Sequence, residues 1–444
     1  MDIYRKYTRE ANMNILCKNQ LMELFGIDET IIRLTQTVEN EIKGIFDEID
    51  AIRETNQYKV ISAMQENRLS DTHFGGTTGY GYDDRGREVL DNVYAAVFKS
   101  EDALVRHQIV SGTQAIAVCL YGNLRPDDEL LSVTGKPYDT LEEVIGIRGG
   151  GNGSLKDFGI NYRQLDLLDN GSIDLDGIKA AITNRTKMVL IQRSRGYGWR
   201  PSIRISDMKR AISEIKSINS NVIVMVDNCY GEFTETEEPI EAGADLMAGS
   251  LIKNPGGGLA PTGGYVAGRK TYVENAAYRL TTPGLGRNVG ATLGNNRLMF
   301  QGLFMAPHVV SESLKGAVFT AAVMRRLGFE TSPEPAEIRS DIIQAVRFND
   351  PHSMIAFCQG IQKGSPVDSF VTPEPWDMPG YDSPVIMAAG AFIQGSSIEL
   401  SADAPVKPPY TAYMQGGLVY EHVKLGVMTA LKYMKERELT RFKR

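Results

Sequence analysis

The chain has 444 residues, with 48 Lys and Arg against 55 Asp and Glu, a net charge of −7. With 42% hydrophobic and 23% charged residues, it has the composition of a globular protein of two or three domains, not of a disordered chain, and its acidic balance argues against a nucleic-acid binder. No run reaches the ~18 apolar residues of a membrane span and the start lacks a signal-peptide apolar stretch, so a cytoplasmic protein is expected.

Residues 15–67 read as a charged helix, with Leu21, Leu24, Phe25, Ile31 and Ile32 at helical spacing. This predicts an N-terminal helical segment, 1–73, that packs on its own domain or on a partner subunit. The stretch 75–82 is too rich in glycine for an element interior and is expected as a loop. Strands and helices then alternate. A segment over 103–110 leads through a glycine turn into an apolar 115–121. A strand follows at 129–134, a helix at 139–147, a strand at 187–192, an amphipathic helix at 204–218 and a strand at 222–226. Unbroken apolar strands separated by helices mark a parallel sheet covered on both faces, so 74–305 is predicted as a large α/β domain. From 306 the texture changes: a helix over 309–327 ending at Gly328, then segments at 342–348, 354–362 and 385–393, and a last strand at 397–401. These predict a smaller α+β domain over 306–444.

Three features carry chemistry. Asp227 ends the apolar strand 222–226, where a carboxylate is costly to bury unless a cation meets it. In open α/β sheets that strand end faces the ligand crevice. Lys253 follows a second apolar run and precedes Asn254-Pro255 and three glycines. Apolar surroundings would depress its pKa and make it a nucleophile or base. Ser111-Gly112-Thr113 opens the apolar helix at 115–121, and a small-residue turn at a helix N-terminus suits a phosphate. Lysine, acid and phosphate turn together are what pyridoxal 5'-phosphate needs, with Tyr138 placed in chain order to stack on its ring. The cysteines (Cys17, Cys119, Cys229, Cys358) suit neither a disulfide framework nor zinc, and the five His lack ligand spacing, so no metal is expected.

The most characteristic stretches are 75–87 with 94–106, Asp227-Asn228-Cys229-Tyr230, 249–264 and 397–417. Through them the chain resembles the methionine gamma-lyase-like family, also called aluminium resistance proteins or cystathionine beta-lyases. That family lies among the Cys/Met-metabolism pyridoxal-phosphate enzymes of the aspartate-aminotransferase fold (fold type I). The resemblance implies that Lys253 holds the cofactor and later moves protons. It implies that Asp227 keeps the pyridine nitrogen protonated and that Tyr138 stacks and assists proton transfer. Ser111, Gly112, Thr113 and Ser250 would bind phosphate. Tyr82, with Arg85, would reach a neighbouring subunit's site, in an obligate dimer or a tetramer. Asp84 stands where the family's arginine is expected.

Two more departures stand out. Ile252 replaces a hydroxyl residue before the lysine, and Glu399 falls where a carboxylate-binding arginine is expected. Arg195 and Lys407 are the alternative cations for an amino-acid substrate. The expected activity is carbon–sulfur lysis of a sulfur amino acid, giving a 2-oxo acid, ammonia and a thiol by β- or γ-elimination. A γ-replacement transferase, an aminotransferase, or a non-catalytic stress-response protein on the same fold are the alternatives.

Overall fold

The computed structural model describes residues 16–378 and 383–440; Ile15 and the rest of the chain's first stretch lie outside the described residues. The apolar runs form the strands β1 (Asp102–Arg106), β2 (Glu129–Ser132), β3 (Asn161–Gln164), β4 (Thr186–Gln192), β5 (Ile223–Asp227), β6 (Leu246–Ser250) and β7 (Gly264–Gly268). They make one sheet in the order β1-β7-β6-β5-β4-β2-β3. Strands β2 to β6 pair in parallel, and β7 runs antiparallel between β6 and β1. Alternate side chains divide between two cores. Val189, Ile191, Val224, Val226 and Met247 face one, whereas Met188, Leu190, Ile223, Met225 and Leu246 face the other. A sheet buried on both faces explains why these strands read as unbroken hydrophobic runs.

The helices are α1 (Glu29–Glu66), α2 (Arg85–Val97), α3 (Gly112–Asn123), α4 (Asp139–Ile145), α5 (Leu175–Ala181), α6 (Ile205–Ile218), α7 (Lys270–Leu280), α8 (Asn296–Arg326), α9 (Pro351–Lys363) and α10 (Tyr420–Glu436). Helices α3 and α7 cover one face of the sheet, through Ile116, Cys119, Val273 and Ala276. Helices α2, α6 and α8 cover the other, through Leu90, Met208, Ile212 and Leu303. Helix α1 lies along α8, and Lys315 of α8 pairs with Asp50 at 2.8 Å. No described helix is long and apolar enough to cross a membrane.

A second sheet is antiparallel throughout, in the order β10-β11-β12-β9-β8. Its strands are β8 (Glu330–Ser332), β9 (Ile343–Arg347), β10 (Val385–Ala389), β11 (Ser401–Pro405) and β12 (Thr411–Gln415). Helices α9 and α10 pack against each other beside it. The chain is thus α/β with a smaller antiparallel sheet.

Three expected elements differ. The helix read over 15–67 breaks at 26–28, where Asp28 caps α1 by accepting the N–H groups of Thr30 and Ile31. Helix α8 begins at Asn296 and runs through Pro307; the sequence pattern placed its start after that proline because proline is at home in a first turn. The strand before β12, expected at 397–401, forms instead over Ser401–Pro405. The chain bends before it because the Glu399 carboxylate accepts the N–H groups of Phe392 and Ile393, at 2.8 and 2.9 Å.

The turn after Lys253 meets α8 backbone to backbone. A Cβ added at Gly302 would lie 2.3 Å from the Gly256 carbonyl oxygen, and one at Gly257 would lie 2.3 Å from the Gly302 oxygen. The lysine's turn is therefore seated on α8 with no room for a methyl group. Gly302→Ala is expected to lower stability by about 1–3 kcal/mol, read as a fall in melting temperature. An unchanged melting temperature would show that this spacing is not required.

Candidate active site

Parallel strands end at one edge of the sheet, and polar side chains collect there. Asp227 ends β5 beside Gln192 of β4 and Ala248 of β6. Its carboxylate is buried, at 4% exposure. Burial pushes its pKa above the usual carboxylate value, opposed by Lys253 and by the Cys229 N–H at 3.1 Å. Lys253 follows β6 and carries its Nζ 3.9 Å from the centre of the Tyr230 ring. Burial opposes its charge, but Cys229, Tyr230, Asp227 and Tyr138 outweigh that effect and raise its pKa. This reverses the sequence expectation of a depressed lysine. The neighbours that decide the sign come from β5 and from the turn before α4, both distant in sequence.

Helix α3 points its N-terminus at the same place. The Ser111 hydroxyl is spent as the cap, accepting the Gln114 N–H at 3.1 Å, so the first N–H groups of the helix have no partner within it. A Cβ on Gly112 would lie 3.1 Å from Cys229 Sγ, 3.4 Å from Ser250 Cβ and 4.0 Å from Lys253 Nζ. The missing side chain keeps open a cradle between helix, serine and lysine. Tyr138 donates its hydroxyl to Thr113 Oγ1 at 3.1 Å, and its N–H to Gln192 Oε1 at 3.0 Å. Burial and the charge of Asp227 push the Tyr138 phenol up. It is therefore a weaker acid than free tyrosine.

A cavity of about 330 Å³ joins Ser111, Gly112, Thr113, Tyr138, Asp227, Ser250, Ile252 and Lys253. Arg195 and Lys407 do not line it. They line a neighbouring cavity with Arg200, and the two share Tyr138, Asp139, Gln192, Gly196 and Tyr197. Arg195 is buried and donates Nη1 to the carbonyl oxygen and hydroxyl of Ser332, at 2.8 and 2.9 Å. Glu399, spent on the Phe392 and Ile393 N–H groups, binds no carboxylate.

Tyr82 and Arg85 are exposed and line neither cavity of their own chain. Tyr82 stacks on Tyr80, with ring centres 5.5 Å apart. Asp84 between them is structural. It caps α2 through the Arg87 N–H at 2.9 Å and accepts from Thr292 at 2.6 Å and from Thr77. Burial would raise its pKa, but these hydrogen bonds hold it low. An arginine there would lose the carboxylate that joins the Thr77 and Thr292 hydroxyls, leaving the loop 75–84 tied to residue 292 only through Thr77.

Sequence reasoning missed several lining residues. Gln192 ends an apolar strand just as Asp227 does, a signal that was available. Tyr197 and Gln415 both donate to Asp403, at 2.8 and 3.2 Å, and burial raises that carboxyl to about 6. Nothing local foretells the link, since Tyr197 and Asp403 are 206 residues apart.

The residues fit a pyridoxal phosphate. A lysine, a buried carboxylate wanting a cation, and a glycine cradle at a helix N-terminus whose first N–H groups have no partner within the helix share one cavity. Among the described residues no group of three His, Cys, Asp or Glu comes together. The fold matches that of the pyridoxal-5'-phosphate-dependent protein YhfS from Escherichia coli, with a TM-score of 0.59 over 87% of this chain and 97% of that one, at 16% identity. This is the type I fold of such enzymes. The family model for methionine gamma-lyase matches residues 31–435, and the chain belongs to that family. A Bacillus subtilis relative named Uncharacterized protein YnbB is 56% identical over 412 residues, covering 93% of this chain and 98% of its own. A solved structure described as a carbon-sulfur lyase involved in aluminum resistance, from Clostridium novyi, is 52% identical. It covers 94% of this chain and 98% of its own, with a TM-score of 0.91.

Behind the cavity lies Glu232, fully buried and accepting the Tyr265 hydroxyl at 2.8 Å. Burial raises its carboxyl from 4.5 to about 8. The folded chain thus keeps a proton on Glu232 that the unfolded chain releases near 4.5. Stability is full below that value and falls as pH rises towards 8, by about 1.4 kcal/mol per unit. Glu232→Gln, which retains the acceptor, is expected to flatten stability between pH 6 and 8 in denaturant titrations. Equal slopes in the two proteins would refute the assignment.

Proposed function

We propose that the chain is a pyridoxal-phosphate-dependent carbon–sulfur lyase acting on a sulfur amino acid of the cystathionine or methionine type. The observation that carries this is the meeting of Lys253, buried Asp227 and the open N-terminus of α3 in one cavity. Lys253 would hold the cofactor's aldehyde carbon. Asp227 would keep the pyridine nitrogen protonated, where a cation relieves the cost of its burial. The N–H groups of Gly112 and Thr113, with the Ser250 hydroxyl, would hold the phosphate beside the Ser111 cap, and Tyr138 would cover the ring. When bound, the cofactor supplies an electron sink for charge developing at the substrate Cα.

The chain's own residues then move protons and exclude water. Lys253 Nζ takes the Cα proton, and the sulfur leaves from Cβ, or from Cγ after a second transfer. It departs as a thiol with the proton Lys253 returns. The unsaturated amine released then takes up one water to give the 2-oxo acid and ammonia. Ile252, where the superfamily has a hydroxyl, offers an apolar wall that keeps water from the reacting carbon. Arg195, reached through the shared residues Gly196 and Tyr197, and Lys407 at the adjoining cavity would take the substrate carboxylate.

The cavity is lined from β9 and β12 as well as from the large sheet, through Ile343 and Gln415. This supports a cofactor domain 74–305 and a smaller domain 306–444 that meet at the site, after an N-terminal segment 1–73. The outward Tyr82 and Arg85 suit a dimer or tetramer with shared sites, in the cytoplasm.

Purified protein should show a visible Schiff-base band that borohydride converts to a fixed adduct on the Lys253 peptide. Lys253→Ala should lose the adduct, and 2-oxo acid production should fall at least about a thousandfold. Asp227→Asn should cost at least about a hundredfold, and Arg195→Ala should raise KM more than it lowers kcat. A protein that stays colourless with added pyridoxal phosphate would overturn the proposal.

A further inference from the structure

Tyr230 stands out because its backbone is left-handed, with φ of 72°, a conformation a bulky residue adopts only when its surroundings impose it. Those surroundings include Asn254, the residue next to the lysine. Its fully buried side chain donates Nδ2 to the carbonyl oxygens of Tyr230 and Glu232, at 3.0 and 2.9 Å. The lysine's own turn thereby clamps the turn that bears the ring. The ring lies under Lys253 Nζ, 3.9 Å from its centre, and both line the cavity. A cation over an aromatic face is stabilised by the ring's quadrupole, and more so away from water.

We propose that the Tyr230 ring is the seat of the Lys253 ammonium, holding Nζ in place each time the lysine takes up a proton and is not bonded to anything else. Tyr230 is a positioning residue. It makes Nζ a stronger proton acceptor, and it keeps the resulting cation from being drawn wholly onto Asp227. The other groups facing Nζ are Asp227 and Cys229 at the end of β5, Glu232 in the same turn as Tyr230, and Tyr138 before α4. None of these is a ring beneath the amine. Asp227 gives attraction without a fixed seat, whereas the ring fixes Nζ at one point of the cavity wall. The importance of this seat to turnover rests on the role proposed for Lys253; the contact itself does not.

The test therefore uses the full chain stripped of any aldehyde with hydroxylamine. Lys253 is titrated by competitive acetylation with acetic anhydride across pH, read by mass spectrometry of its peptide. Tyr230→Phe keeps the ring and should keep the wild-type midpoint. Tyr230→Leu should lower the midpoint by about one pH unit. Tyr230→Asn, a residue type at ease in the left-handed region, should do the same and decides the matter if the leucine variant does not fold. A wild-type midpoint in the variants lacking the ring would overturn the proposal. So would a phenylalanine variant shifted as far as they are, since the hydroxyl would then be responsible. Failure of the lyase assignment would show separately, as a colourless protein.

Discussion

A carboxylate and an amine face one cavity at the end of a buried sheet, and most of the site is arranged around the cost of keeping them there. Asp227 cannot sit at the C-terminal end of β5 without a cation nearby, because burial alone raises its pKa. Lys253 provides one from the turn after β6. Backbone N–H groups from Cys229 and from the start of α3 supply further positive ends of dipoles around the same cavity. Acid, amine, helix N-terminus and the rings of Tyr138 and Tyr230 all line this one cavity. A planar, anionic, nitrogen-containing ring is the kind of ligand that satisfies all of these at once.

The precision of that arrangement comes from backbone contacts more than from side chains. The Lys253 turn rests on α8 at Gly302, and α8 in turn lies against α1, α10 and β9. One helix therefore sets the height of the lysine relative to both sheets. The second sheet reaches the cavity with Ile343 and Gln415, so part of the cavity wall is built by residues more than a hundred positions from Asp227. A shift of α8 would move the lysine turn and the second sheet's lining residues together.

Much of this was legible in the chain. The apolar runs at β4 and β5, the acid ending one of them, the lysine between an apolar run and three glycines, and the small-residue turn before α3 are local patterns with local causes. What was not legible depends on partners far along the chain. Asp84 is tied to Thr292, 208 residues on, so it read as a lost arginine when it is a loop anchor. Glu399 read as a misplaced charge, yet two backbone N–H groups consume it. The orientation of Arg195 is set by the Ser332 carbonyl and hydroxyl, 137 residues on. The sign of the pKa change at Lys253 also turned on neighbours that folding brings in.

The loop of residues 75–84 is anchored at both ends, by Asp84 to Thr77 and Thr292 and by the Tyr80 carbonyl to the Gly290 N–H at 2.9 Å. Arg87 adds its guanidinium, donated to the carbonyl oxygens of Gly81 and Gly290 at 2.7 and 2.9 Å. The outward, stacked Tyr80 and Tyr82 are thus mounted on a stiff base. Two large rings already ordered surrender little conformational entropy when another surface covers them, so such a contact retains most of the free energy of burying them. The rigidity of this loop is a thermodynamic head start for association.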